Sequence, residues 1–165
     1  MTIEQPTPTT AADDFRAYAA QHFATDESFG LAFETTAGQR FTLTEGRAMI
    51  EAGLDTAQDL TQVFPDGGSA TVCTNYANHI AGTLGTGRVT VVGFWGEDNP
   101  TSRIGQDAGG HDFAVIDGRW IVDPWLRLVW GDEAWVFDLN DPADAAAIAQ
   151  LYGDRDRWEP ASVPA

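Results

Sequence analysis

The residues predict an α+β domain with antiparallel β structure, and three observations carry that reading. Residues 69–84 repeat apolar side chains at helical spacing, with Tyr76, Ala77, Ile80 and Leu84 on one stripe and Cys73 on the same stripe. Residues 88–95, Arg-Val-Thr-Val-Val-Gly-Phe-Trp, are the clearest strand pattern in the chain. Residues 110–125 read as two short apolar arms joined at Asp117-Gly118, a strong hairpin signal. His111 opens the first arm and Asp123-Pro124 closes the second.

The other elements follow in order. Residues 1–10 read as a loose tail. Over 11–24, Phe15, Tyr18, Ala19, His22 and Phe23 fall at helical spacing, and Asp13 and Asp14 occupy the first turn, where the helix dipole favours acids. Residues 31–34 and 40–43 are either a strand pair around 36–39 or loop. Thr44 is the expected N-cap of a helix running to Ala52, weakened inside by Gly46 and ended by Gly53. Thr56, with Asp59 three residues on, starts a short helix carrying Leu60, Val63 and Phe64 until Pro65. Ser69 or Thr71 caps the helix that contains Cys73. A polar loop, 96–110, leads through Gly109 and Gly110 into His111. Residues 126–130 and 134–137 read as further extended segments. Pro142 begins an Ala-rich helix to about Tyr152. One domain is expected over 11–155, with a second tail at 156–165.

Charge limits the partners. The net charge is −16, from 25 acidic residues against nine arginines, with no lysine. Such a chain lacks the basic face that nucleic acids and anionic membranes require, so neither is an expected partner. A protein or peptide substrate, basic in character, fits better; an acidic surface that merely keeps the protein soluble fits as well. No run approaches 18 apolar residues, so no transmembrane helix is expected. The N-terminus has no basic region followed by an apolar one, which points to a cytoplasmic protein or one exported without a classical signal peptide.

Chemistry is concentrated in few residues. One cysteine excludes an internal disulfide framework and a cysteine-rich metal site. His22, His79 and His111 have no metal-ligand spacing, and Gly82 to Gly87 lacks the Lys-Ser or Lys-Thr of a phosphate loop, so no metal or cofactor is expected. Cys73 at a helix start lies near the positive end of the dipole, which favours thiolate. A cysteine enzyme adds a histidine to move protons and a third group to hold it. His111 and Asp123 can be those groups if the hairpin register allows. With a two-residue turn, Asp123 falls opposite Asp112 and faces away from His111. With a three-residue turn, Ile116-Asp117-Gly118, Val115 pairs with Arg119 and His111 with Asp123. The three-residue turn is therefore expected, with Gly118 in its left-handed position.

Thr71-Val72-Cys73-Thr74-Asn75-Tyr76-Ala77, then Val89-Thr90-Val91-Val92-Gly93, then His111 with Asp117-Gly118-Arg119-Trp120 and Asp123-Pro124-Trp125, resemble the core of the transglutaminase-like branch of the papain-like superfamily. The resemblance covers roughly residues 69–126, and its 12-residue spacing from His to Asp is shorter than usual for that branch. It implies a papain-like core, with the nucleophile helix packed on an antiparallel sheet. It implies Cys73 as nucleophile, His111 as general base and acid, and Asp123 as orienter, in a peptidase, glutamine deamidase or transglutaminase acting on an amide or thioester. A bacterial effector and a housekeeping amidase are both compatible settings. An oxyanion-binding side chain upstream of the cysteine is not evident; Gln21 and Gln62 are candidates by residue type alone. The alternative function is a non-catalytic acidic binding protein, of immunity or adaptor type, for a basic partner.

Overall fold

A computed structural model describes residues 11–161 of the chain. The expected tail at 1–10 and the last four residues lie outside that range. The chain folds as α+β around two antiparallel sheets.

Helix α1 (Ala11–Phe23) is followed by a 3₁₀ turn, Asp26–Phe29, capped by Thr25. The small sheet has the order β2-β1-β3, from β1 (Ala32–Glu34), β2 (Arg40–Phe41) and β3 (Thr61–Val63). The strand-pair alternative for residues 31–43 is thus the one observed, with Phe33 opposite Phe41. Helix α2 (Leu43–Glu51) begins two residues before the expected point. Its cap is Thr42, which forms a reciprocal capping box with Glu45 and so satisfies two N–H groups instead of one. The short helix expected from Thr56 divides into a 3₁₀ turn, Asp55–Asp59, and strand β3. Pairing with β1 along Thr61–Val63 supplies ladder bonds that so short a helix could not match.

Gly46 has a packing role inside α2. A Cβ there would lie 2.0 Å from the Phe33 ring. Gly46→Ala is therefore expected to destabilise the protein by ~1–3 kcal/mol through overpacking, although alanine is the better helix former by about 1 kcal/mol. Urea unfolding measures this, and an increase in stability would contradict the packing account.

The larger sheet has the order β7-β6-β5-β4-β8. Its strands are β4 (Val89–Trp95), β5 (Gly110–Ile116), β6 (Trp120–Val122), β7 (Val136–Asp138) and β8 (Glu159–Pro160). The remaining helices are α3 (Cys73–Leu84), α4 (Arg103–Ala108), α5 (Pro124–Leu128) and α6 (Ala145–Tyr152). Alternation assigns the covers. Ile116 pairs with Trp120, on which Phe15 of α1 stacks at 4.4 Å. Asp112 shares that parity and accepts a hydrogen bond from Thr74 of α3. Phe113 and Phe137 face the other way, and both touch Tyr152 of α6. With helices on both faces, residues Phe113, Ala114, Val115 and Ile116 are all buried.

Three expectations need correction. The 96–110 loop contains α4, capped by Ser102, which is too short to leave a periodic signature. Residues 126–128 are helical rather than extended, because Pro124 sits at the start of α5, where its fixed φ suits a helix. Residues 156–161, within the expected tail, are ordered against the core. Trp158 packs edge-on against Phe113 at 5.0 Å and donates to the Tyr152 carbonyl. That anchor lets Glu159 pair with Gly93 and Pro160 with Val92. No helix among the described residues is long and apolar enough to cross a membrane.

Candidate active site

Cys73 is the first residue of α3, half-buried, with Val72 in the N-cap position. Neither Ser69 nor Thr71 caps the helix; their hydroxyls bond each other. The Cys73 and Thr74 N–H groups lie in the first turn, where a helix offers no internal acceptor. Strand β6 ends at Val122, so the start of β5 has no strand partner on that side. The Asp112 N–H is thereby freed, and it donates to Cys73 Sγ at 3.4 Å.

His111 and Asp123 meet on the other side of β5. The His111 Nε2–Asp123 Oδ2 distance is 2.7 Å, and both side chains are fully or almost fully buried. The hairpin that brings them together is a three-residue loop, as parity requires, but it is Asp117-Gly118-Arg119 rather than Ile116-Asp117-Gly118. Ile116 pairs with Trp120, so the register extended past β6 sets Asp123 opposite Phe113, two residues from His111 on the same face. Asp123 reaches His111 diagonally. The one-pair shift traces to Asp117, which takes a left-handed φ of 54°. Its N–H donates to the Arg88 carbonyl, and its carboxylate receives two bonds from the Arg88 guanidinium.

With Nε2 committed to Asp123, Nδ1 is the nitrogen left for the thiol. It is buried and makes no well-formed hydrogen bond in this resting geometry. Cys73 and His111 are nonetheless close enough for each to shift the other's titration. Burial alone would push the Cys73 thiol up; hydrogen bonding and charge from His111, with the Asp112 N–H, outweigh it and hold the thiol below its ordinary value. Burial alone would push His111 down; the charge and hydrogen bond of Asp123, then those of Cys73, lift it to about 10. Both shifts favour a thiolate beside an imidazolium at neutral pH.

Two further residues hold this arrangement, and the first of them carries no signature in the sequence. Tyr152 Oη donates to the same Asp123 Oδ2 at 2.7 Å. It is fixed by the buried Asn99 and Ser102, which bond the Tyr152 and Leu151 carbonyls. Trp125 donates from its indole to the Thr71 carbonyl at 3.1 Å, and its ring lies 4.7 Å from His111. It ties the segment before Cys73 to the helix after Asp123. Tyr152→Phe keeps the ring and removes the donor. We expect a stability loss of ~1–3 kcal/mol by urea unfolding, since buried Asp123 then lacks one of its hydrogen bonds. An unchanged unfolding midpoint would mean that water replaces the hydroxyl.

A cleft of about 830 Å³ opens over the thiol, lined by Cys73, His111, Gly93, Asp112, Trp95 and Glu159 among others. Gln62 lies on β3 in the small sheet and Gln21 on the solvent side of α1; neither lines the cleft. His22 is exposed, and half-buried His79 packs against Phe29 and Phe64, away from this site. Trp120, Trp125 and Trp135 are buried, Trp130 is half-buried, and Trp95 stands 69% exposed at the cleft. No group of three or more potential metal ligands occurs among the described residues. No protein-family model, curated protein or solved structure matches the chain.

Proposed function

We propose that this chain is a cysteine-dependent acyl-transfer enzyme of papain-like, transglutaminase-like fold, acting on an amide or thioester carbonyl. One observation carries the reading: buried His111 is bonded to a buried carboxylate that is itself held by Tyr152, and it lines one cleft with the thiol of the only cysteine, to which the adjacent Asp112 N–H donates. A protein that only binds a partner through its acidic surface has no need of that internal network behind its only thiol.

The steps follow from the geometry. Cys73 thiolate attacks the carbonyl carbon, and the carbonyl electron pair moves to oxygen. The Cys73 and Thr74 N–H groups, which have no intrahelical acceptor, are the donors proposed for that developing charge. The intermediate collapses, the C–N bond breaks, and the leaving amine takes a proton from the His111 imidazolium. A thioester is left on Cys73. Water then attacks, giving up its proton to neutral His111, and releases an acid; an amine in its place gives a new amide. Asp123 holds the imidazole and stabilises its charged form throughout.

The test is a panel of peptide anilides, glutamine peptides and thioesters, with release of aniline, ammonia or thiol measured in wild type, Cys73→Ala and His111→Ala. Turnover on at least one class, lost in both variants, supports the proposal. Turnover that survives Cys73→Ala, or none on any class, opposes it.

A further inference from the structure

We infer that the cleft selects substrates carrying a lysine or arginine side chain next to the acyl group, an inference that rests on the acyl-transfer reading above. Register arguments place the residues. Gly93 of β4 pairs with Asp112 of β5 on one side and with Glu159 of β8 on the other. These three therefore form one row across the sheet, side chains on one face, with adjacent strands about 4.8 Å apart. The middle member has no side chain. A Cβ at Gly93 would lie 1.9 Å from Asp112 Oδ1, so that oxygen leans over the glycine toward Glu159. Asp112 is steadied there by Thr74, which bonds its other oxygen at 2.5 Å.

The next residue of β4 on that face is Trp95, paired with Gly110. A Cβ at Gly110 would lie 3.0 Å from the Trp95 ring, so the indole rests over a second missing side chain. It is nevertheless 69% exposed, an unusual state for the largest apolar side chain. The floor beside Cys73 is thus two glycines flanked by an open indole face and two carboxylates. Asp98 and Asp156 extend the acidic rim, and Arg157 is its one basic member. Glu159, Asp98 and Asp156 have no ion-pair partner among the described residues. His111, whose Nδ1 is buried without a hydrogen bond, is among the residues bordering the same cleft, so the acids lie beside the group that moves the proton in the proposed reaction.

A long cationic side chain answers each feature. Its methylenes cover the indole, its charge meets the ring face, and its N–H groups reach the carboxylates. A neutral isostere loses the last two contacts, and an acidic side chain is repelled.

Matched peptidyl vinyl sulfones with lysine, norleucine or glutamate beside the warhead test this, read as the rate of Cys73 modification. We expect lysine to exceed norleucine by about tenfold, the gain from one cation–π contact and exposed ion pairs, with glutamate slowest. The lysine-to-norleucine ratio should shrink in Glu159→Gln and in Trp95→Ala, and in wild type as salt is raised. Equal rates for the three reagents, with iodoacetamide modification that depends on His111, would overturn the inference and leave the acyl-transfer reading standing. Iodoacetamide modification that ignores His111 would overturn both.

Discussion

His111→Ala is expected to slow iodoacetamide alkylation of Cys73 near pH 6 by about ten- to a hundredfold. An unperturbed thiol is under about 1% thiolate at that pH, whereas a thiol held down by an adjacent imidazolium carries a larger thiolate fraction. The gain is less than the ratio of thiolate fractions, because a more acidic thiol is a weaker nucleophile. Wild-type Cys73 should therefore lose less of its rate between pH 8 and pH 6 than the variant does. The variant should show the steep rise toward pH 8.5 of an ordinary thiol. Identical profiles would mean that His111 does not touch the thiol's chemistry.

Asp123→Ala should be the most damaging single change to stability at the site, costing ~3–5 kcal/mol by urea unfolding. Asp123 is 2% exposed and accepts from both His111 and Tyr152. Its loss strands an imidazolium in a place with no other countercharge but the thiolate, and leaves a buried tyrosine hydroxyl unbonded. Asp123→Asn keeps the volume and removes the charge, and so isolates the electrostatic part. The sign of its pH dependence is fixed by His111. A histidine whose folded value is raised adds stability fully below its ordinary value of 6.5, and loses it as pH climbs toward the folded value. Cys73, lowered in the fold, contributes with the opposite slope. In a Cys73→Ala background, stability should fall between pH 6.5 and 9, and Asp123→Asn should flatten that fall. A slope that Asp123→Asn leaves unchanged would place its origin elsewhere.

The facing of His111 and Asp123 was legible because hairpin parity is a strict rule. Any odd-numbered loop turns His111 and Asp123 to one face, so the reading survived a loop shifted by one residue. The shift itself was not legible, since Arg88 holds Asp117 out of the strand from another part of the chain. Tyr152 was visible only as the end of an Ala-rich helix, and nothing local says where its hydroxyl goes. The same holds for Asn99, Trp125 and the Gly93 row, whose roles arise from contacts far apart in sequence. The β8 segment has no sequence signature because a two-residue strand has no period, and the Trp158 anchor accounts for its position. Thr42 is the exception: its pairing with Glu45 is written in the sequence as a capping box, one that competes with Thr44 as a cap.

The most direct measurement of the central claim is a stopped-flow experiment with p-nitrophenyl acetate, followed by peptide mapping of the quenched protein. The account expects a burst of nitrophenolate matching the enzyme concentration, with the acetyl group on Cys73 and the burst absent in Cys73→Ala. No burst, or acetylation that falls on surface residues and persists in Cys73→Ala, would contradict it.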